Sequence, residues 1–260
     1  LILLRGSFGH AQNTPPSYAN VICVKVKPGQ AAAYERLERD IQRQYFQAPD
    51  TSDPLVGFVL ARNFYPGGTA AECSYQAIYL MNGVSELHTE MRQQRWKKAK
   101  MPMTYEEYIS KLMDSITLVK RELSQTGGSA GKGKRGYWVR ISYHNRSDQA
   151  AFRKGVQDFL QPMAEVLVKE KDLQAWHSFS LSLPSGGSLP YNNSVVSVYQ
   201  DFASAQQHLQ RLNYTDRFRK RFGKTPDEAG LQRQLPVRVE IFRVVDAITS
   251  GGGGATPSGG

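Results

Sequence analysis

The chain has 260 residues, a net charge of +10, 40% hydrophobic residues and 22% charged residues. This length suffices for one large domain or two small ones, and the composition is that of a globular protein, not a disordered or fibrous one. No run reaches the roughly 18 apolar residues that a membrane-spanning helix needs. The positive charge can favour nucleic acid, anionic lipid or acidic polymers, but it also fits a solvated basic surface.

An apolar run at the start leads to the small-x-small pattern Gly9-His10-Ala11, after which the chain turns polar. This order is typical of the end of a secretory signal peptide. We therefore expect residues 1–11 to be a signal-peptide remnant, residues 12–19 to be disordered, and the protein to be secreted or periplasmic. A buried N-terminal strand is the alternative interpretation.

The two cysteines are Cys23 and Cys73. In an oxidising compartment they could form a disulfide, and as two free buried thiols they would be equally ordinary. No Cys/His cluster has the spacing of a zinc site, so no metal is expected.

The residues from 20 to 123 predict a strand, a helix, a hairpin, two helices and a last strand. The predicted strands cover residues 20–27, 55–65, 74–81 and 117–123. Apolar residues recur at helical spacing in the first helix, at Tyr34, Leu37, Ile41 and Tyr45. The hairpin turns at Pro66-Gly67-Gly68, and Thr104 with Glu107 forms a capping-box pattern at the start of a short helix.

The same order recurs further along the chain. Gln149-Ala150-Ala151-Phe152 follows Ala31-Ala32-Ala33-Tyr34 by 118 positions, and Ser182-Leu183-Pro184-Ser185-Gly186-Gly187 follows Phe64-Tyr65-Pro66-Gly67-Gly68-Thr69 by the same number. Thr225-Pro226-Asp227-Glu228 agrees with the first capping box within a few positions. Two unrelated landmarks that share one offset indicate a duplication.

The second copy is predicted over residues 137–249, with strands at 137–144, 174–183, 194–200 and 237–244. Each copy has the order βαββαβ, which is the ferredoxin-like arrangement, so the fold class is α+β with two tandem repeats. The stretch 124–136 is rich in Gly, Ser and Lys and is expected to be a linker. Residues 250–260 are expected to be a disordered Gly-rich tail.

The hairpin motifs Tyr65-Pro66-Gly67-Gly68 and Leu183-Pro184-Ser185-Gly186, each followed by a tyrosine-bearing strand, resemble exported members of the dimeric α+β barrel superfamily. That group includes antibiotic-biosynthesis-type monooxygenases, NIPSNAP-like proteins, chlorite dismutases and dye-decolourising peroxidases. The resemblance covers most of residues 20–247 and carries no catalytic motif. It implies that two ferredoxin-like sheets pack face to face as a barrel within one chain.

Strand alternation divides the second copy into two faces. One face is apolar and is expected under the helices: Val139, Ile141, Tyr143, Phe179, Leu181, Leu183, Val196, Val198, Val237, Val239 and Ile241. The other face is mixed and is expected to line a pocket inside the barrel: Trp138, Arg140, Ser142, His144, Trp176, Ser178, Ser180, Ser182, Ser197, Tyr199, Arg238, Glu240 and Phe242. A solvated sheet face or a homodimer interface would show the same pattern.

From the mixed face we predict contacts to a small apolar or aromatic molecule by Trp138, Arg140, Trp176, Ser178, Ser180, Tyr199, Arg238 and Glu240. Arginine at such a site could stabilise an enolate-like charge. The weak catalytic candidates are His144, Arg140, Arg238 and Glu240. His177 is expected to be a satisfied core histidine, and His88 and His208 to lie on the surface. Haem-binding relatives need an axial histidine, and no motif here identifies one, so no cofactor is expected.

Two basic clusters lie at equivalent places in the copies. One contains Arg92, Arg95, Trp96, Lys97, Lys98 and Lys100, and the other contains Arg211, Arg217, Arg219, Lys220, Arg221 and Lys224 with interleaved aromatic residues. Aromatic residues between cations can stack bases, but export makes nucleic acid an improbable partner, and such runs are often solvated helix faces.

The sequence thus favours an exported small-molecule-binding protein or a cofactor-free, monooxygenase- or isomerase-like enzyme. The alternatives are a module that binds an acidic polymer through the basic clusters, and a structural or homo-oligomeric protein with a filled barrel.

Overall fold

The computed structural model describes residues 17–48, 53–67, 70–84, 88–131, 133–184, 190–208, 213–231 and 236–249. The predicted signal-peptide remnant and the Gly-rich tail lie outside these residues. The segment 12–19 was expected to be disordered, but its described end is ordered, because the first strand already begins at Tyr18.

Each copy has the predicted order βαββαβ. The elements of the first copy are β1 (Tyr18–Val26), α1 (Ala31–Gln47), β2 (Leu55–Tyr65), β3 (Tyr75–Met81), α2 (His88–Lys98), α3 (Tyr105–Ser115) and β4 (Ile116–Gly131). Those of the second are β5 (Trp138–His144), α4 (Gln149–Gly155), a π-helical turn (Val156–Leu160), α5 (Gln161–Lys169), β6 (Ala175–Leu183), β7 (Asn193–Tyr199), α6 (Phe202–Gln206), α7 (Tyr214–Phe222) and β8 (Arg238–Thr249).

The first capping box forms as predicted. The Thr104 side chain accepts a hydrogen bond from the backbone of Glu107, and the Glu107 carboxylate accepts one from the backbone of Thr104. Thr225 and Glu228 make the same two bonds, but the residues that follow form turns instead of a helix.

The linker predicted at residues 124–136 is mostly strand. β4 continues to Gly131 and pairs with β6, with Thr126 opposite Phe179 and Ala130 opposite Trp176. Its glycines allow close packing, since a Cβ on Gly128 would lie 2.8 Å from the side-chain oxygen of Gln161. The glycines and serines of this stretch are therefore small because a helix packs closely against the strand. The same composition is typical of flexible linkers, so the sequence alone did not separate the two cases.

The eight strands close into one barrel in the order β1-β3-β2-β8-β5-β7-β6-β4. Each copy contributes four antiparallel strands in ferredoxin-like order. The sheets join edge to edge, through β2 with β8 and β4 with β6, and their inner faces meet inside the barrel, as the resemblance implied. Closure leaves no strand edge of the barrel unpaired.

The helices cover the outside of the barrel, and the two faces of β5, β6 and β7 are reversed relative to our prediction. On β5, β6 and β7 the apolar face points inward, where Val139, Tyr143 and Val198 pack with residues of β2 and β8. The mixed face lies outside, where Trp138, Trp176 and Tyr199 pack against α4 to α7. Alternation separates two faces, but both are buried in a helix-covered barrel, so polarity alone does not identify the interior.

β8 keeps the faces that we predicted, so its inward residues no longer share a face with the mixed residues of β5, β6 and β7. Tyr143 pairs with Arg238 and Ile141 with Glu240, so Arg238 and Glu240 point into the barrel. The prediction had placed these two residues with Trp138 and Arg140. Residues opposite one another share a face, and a shift of one residue in pairing exchanges the faces.

Cys23 and Cys73 form a disulfide, with their Cα atoms 5.3 Å apart. It joins β1 to the segment before β3 and closes a separation of 50 residues, which restricts the unfolded chain. Within the described part of the chain, no helix combines the length and apolarity needed to cross a membrane.

Candidate functional site

The predicted site residues separate into two groups, and Arg238 and Glu240 belong to a charged network inside the barrel. Tyr143 donates a hydrogen bond of 2.8 Å to Glu240, and Gln76 donates one of 3.0 Å to Tyr143. The Arg238 guanidinium lies 4.2 Å from the centre of the Tyr143 ring and forms an ion pair with Glu72. These contacts connect β3, β5 and β8.

The network extends to β4. The Lys120 ammonium lies 3.1 Å from Glu72 and 3.0 Å from Glu122, and it donates a hydrogen bond of 2.6 Å to Tyr191. Burial raises the pKa of Glu240, against the opposing effect of the Arg238 charge. Arg238 and Glu240 are thus engaged with interior partners, on the face of the sheet opposite to the helices.

The other predicted ligand-binding residues share the outer face of the second sheet: Trp138, Arg140, Trp176, Ser178, Ser180 and Tyr199. Strand pairing sets Trp138 beside Tyr199, and Arg140 beside Ser197, which in turn pairs with Trp176. We call this surface, together with Ser142 and Ser197, the second outer face. His144 lies at its edge, opposite Asn193.

Arg140 lies within the second outer face, between Ser197 of β7 and Ile241 of β8. No carboxylate among the described residues forms an ion pair with it, and its Nε is buried without a hydrogen-bond partner there. Burial lowers the pKa of Arg140, but a guanidinium starts so far above neutrality that it remains charged. The face therefore holds a positive charge that lacks a counter-ion in the described structure.

His208 joins Arg140 at this face and was wrongly expected on the surface. Its Nδ1 forms a short hydrogen bond with the Tyr199 hydroxyl. Burial, and secondly the charge of Arg140, lower the pKa of His208 to about 3, so the imidazole is neutral at physiological pH. The sequence predicts a helix at His208 and the chain is helical there, but the pattern does not show that the imidazole turns towards the sheet.

Ser178 is fully buried, and its hydroxyl has no hydrogen-bond partner among the described residues. β4 bulges beside it between Thr126 and Gly128, and a Cβ on Gly127 would lie 2.9 Å from the Ser178 oxygen. The π-helical turn crosses β4 here, since a Cβ on Gly128 would lie 3.0 Å from Val156. A strand bulge and a π turn are irregularities that occur frequently at functional sites.

A cavity of about 180 Å³ lies next to the bulge, lined by Gln125, Thr126, Gly127, Arg153, Gln157 and Ser180. It is smaller than the roughly 300 Å³ at which drug-sized ligand sites begin. A larger groove of about 610 Å³ lies on the surface of the first copy, along the ends of α1 and α2. Both lie outside the barrel.

Three aromatic rings form an apolar wall at one side of the second outer face. Phe64, Trp138 and Phe202 contact one another, and each pair of ring centres is 4.9 Å apart. Phe64 comes from the first copy and is 54% exposed, so this wall is accessible from solvent. An aromatic ligand could stack there beside Arg140.

The equivalent outer face of the first copy is filled. Strand pairing places Tyr79 where the second copy has Ser197, and Leu60 where it has Ser178. Tyr79 accepts a hydrogen bond of 3.0 Å from Gln42, which also bonds to Glu38. The rings of Tyr79 and Phe58 pack 5.1 Å apart.

The first outer face also buries the Nε atoms of Arg92 and Arg95 without a hydrogen-bond partner among the described residues, but here one of the two arginines has an acidic partner. Arg95 forms a buried ion pair of 3.1 Å with Asp53, which also accepts hydrogen bonds from Tyr45 and from the backbone of Leu55. The Arg92 guanidinium lies 4.7 Å from the centre of the Tyr79 ring. Burial raises the pKa of Glu38 to about 7.

The first basic cluster is only partly a solvated helix face: Arg92, Arg95 and Trp96 are buried, whereas Lys97, Lys98 and Lys100 are exposed. In the second cluster, Phe218 and its aromatic neighbours pack into the core, so they cannot stack bases. Arg217 forms ion pairs with Glu170 and Asp172. The described part of both clusters thus lacks the exposed aromatic residues that stacking requires.

His177 is the satisfied core histidine that the sequence predicted. It points into the barrel, where its Nδ1 lies 2.8 Å from the Ser129 hydroxyl, and burial lowers its pKa to about 4. Among the residues that the structure describes, no three His, Cys, Asp or Glu side chains are grouped as a metal site would require.

Two ferredoxin-like sheets with helices outside form a closed barrel within a single chain, which is the architecture that the resemblance implied. Solved structures share this fold. A candidate monooxygenase of Lactobacillus acidophilus matches with a TM-score of 0.57 and 9% identity, over 92% of this chain and 98% of its own. A candidate monooxygenase of Fusobacterium nucleatum matches with a TM-score of 0.56 and 10% identity, over 90% of this chain and 95% of its own.

An anthrone oxidase-like protein matches with a TM-score of 0.52 and 10% identity, over 92% of this chain and 94% of its own. At these identities the likeness establishes the fold alone. No protein-family model matches the chain, and neither does any curated protein.

Proposed function

We propose that this protein binds a small, partly aromatic molecule at the second outer face, beneath the helix that contains the π turn. The observation that carries the proposal is the pair of buried, unpartnered polar groups there, the Ser178 hydroxyl and the Arg140 Nε. Buried polar groups cost free energy unless they are hydrogen-bonded. A ligand that contacts them would remove that cost.

The chemistry of the face suits such a ligand. The aromatic ring of the ligand would stack on Trp138 and Phe202, while Arg140 and the neutral His208 would contact the polar atoms of the ligand. In an enzyme, the Arg140 charge would stabilise a developing enolate or phenolate oxygen. The names of the three similar structures, two candidate monooxygenases and an anthrone oxidase-like protein, support an oxygenase-type reaction as the finer proposal.

We also propose that the protein functions outside the cytoplasm. The Cys23–Cys73 disulfide supports this, because disulfides persist mainly in secreted and periplasmic proteins. Fractionation of the native host would test it. Protein found with cytoplasmic markers would contradict export.

A filled barrel was the expectation of the structural alternative, and the inward side chains do pack together. That alternative does not account for a polar, uncompensated face under the helices, so we prefer ligand binding. Homo-oligomer formation stays a prediction.

The proposal is tested by ¹⁹F NMR with a panel of small fluorinated aromatic acids, amides, ketones and hydrocarbons. We expect the ¹⁹F resonance of at least one compound to broaden or to change its chemical shift when the protein is added. Ser178→Leu should abolish that effect, because leucine, the residue of the first copy, would fill the position. Ser110→Leu is the matched control, since Ser110 lies exposed on α3.

A panel without any binder would overturn the proposal. So would a compound whose binding is the same in wild type and in Ser178→Leu, since it would bind elsewhere.

A further inference from the structure

We infer that the ligand is an aromatic carboxylate, whose carboxylate group pairs with Arg140. This inference rests on the proposed function and specifies its substrate class. It follows from a difference in charge compensation between the two outer faces.

Two arginines near the second outer face, Arg140 and Arg146, have no acidic partner among the residues that the structure describes. Arg146, in the loop after β5, resembles Arg140: its Nε is buried without a partner in the described structure, and its guanidinium lies 5.8 Å from the centre of the Phe152 ring. No described carboxylate forms an ion pair with either arginine. The neutral His208 adds no positive charge and supplies no negative one.

The first outer face shows what compensation looks like in this fold. There Arg95 has Asp53 at 3.1 Å, and the charge of Arg92 acts on the buried Glu38 carboxyl. A carboxylate of the ligand would form an ion pair with Arg140, as the Asp53 carboxylate does with Arg95. Guanidinium and carboxylate groups also match in geometry, with two parallel N–H···O bonds.

The ring system is specified by the wall of Phe64, Trp138 and Phe202. These rings lie along the same side as Arg140, because Trp138 is two residues before Arg140 on β5 and shares its face. An aromatic ring on this wall would bring an attached carboxylate towards the guanidinium. An aliphatic acid would lose the stacking, and a neutral aromatic molecule would leave the arginine uncompensated.

The test compares 4-fluorobenzoate with 4-fluorobenzamide, which have nearly the same shape but differ in charge, by ¹⁹F NMR titration. We expect wild-type protein to bind the benzoate at least tenfold more tightly than the benzamide. Arg140→Gln should remove this preference and leave benzamide binding unchanged, and Arg140→Lys should restore part of it. Arg62→Gln is the matched control, because Arg62 is an exposed arginine of β2 that pairs with Glu35.

The outcomes separate this inference from the proposed function. Equal binding of both compounds, with loss of both in Ser178→Leu, would overturn the carboxylate inference and leave the site in place. Benzoate preference that persists in Arg140→Gln would also overturn it. Failure of both compounds and of the whole aromatic panel would overturn the proposed function as well.

Discussion

The helix-covered faces of the two copies occupy equivalent places in the barrel but differ in chemistry. The first presents tyrosines and leucine to α1 and compensates its buried charges, whereas the second presents serines and an uncompensated arginine to a helix interrupted by a π turn. The same backbone order thus supports a helix-covered core in both copies, but the core of the second copy also holds serines and an arginine without an acidic partner among the described residues. Duplication allows this division, because stability supplied by the first copy can offset unsatisfied groups in the second.

The largest expected effect concerns the buried ion pair of the first copy. Asp53→Ala leaves Arg95 buried and uncompensated, so the free energy of unfolding should fall by about 3–5 kcal/mol in urea titrations. Asp172→Ala, at the partly exposed pair with Arg217 in the second copy, is the control and should cost less than about 1 kcal/mol. Equal losses in both variants would contradict the contrast between the copies.

The next effect is a pH dependence that belongs to the first copy. The pKa of Glu38 is raised to about 7 from an ordinary 4.5, mainly by burial. Between these values the folded state holds a proton that the unfolded state has lost, so stability decreases as pH rises from about 4.5 to 7. Glu38→Gln removes that loss and should stabilise the protein by roughly 2–3 kcal/mol at pH 8.

The difference between Glu38→Gln and wild type should shrink to about 0.5 kcal/mol or less at pH 4.5, where the folded wild type is protonated at Glu38 and the unfolded state is half protonated. Urea titrations at pH 4.5, 6 and 8 measure it. A constant difference across this range would show that Glu38 does not titrate as described.

The smallest effect concerns exchange of residues between the copies. Ser178→Leu removes a buried hydroxyl without a partner but adds volume at a fully buried position, so it should lower the free energy of unfolding by about 1–2 kcal/mol. The reverse exchange, Leu60→Ser, opens space in a filled core and should cost about 2–5 kcal/mol. Thermal and urea unfolding of both variants compare them, and similar costs would mean that the second outer face is as tightly packed as the first.

Much of the architecture was predictable from sequence. The constant offset of 118 positions and the helix and strand periodicities indicated two βαββαβ copies, and the structure confirms them. The face assignment failed for a physical reason. In an exposed sheet, polarity marks the solvent side, but in this barrel one face packs inside and the other under helices, so neither is solvent.

The candidate site was predictable only in part. Trp138, Arg140 and Tyr199 were correctly grouped, because strand alternation within β5 and β7 is a local property. Arg238 and Glu240 were grouped with them wrongly, because the pairing of β8 with β5 depends on tertiary contacts. His208 reaches Tyr199 from a helical position just after α6, and helix periodicity did not show which side of the helix contacts the sheet.

Closure of the barrel means that neither copy can form the complete sheet by itself. Its seams, β2 with β8 and β4 with β6, are formed only when both copies are present. A single copy expressed by itself would expose two unpaired strand edges, and it would have to recruit a second molecule of itself to cover them. The covalent linkage of the copies therefore makes assembly independent of protein concentration, which suits a protein that works at high dilution.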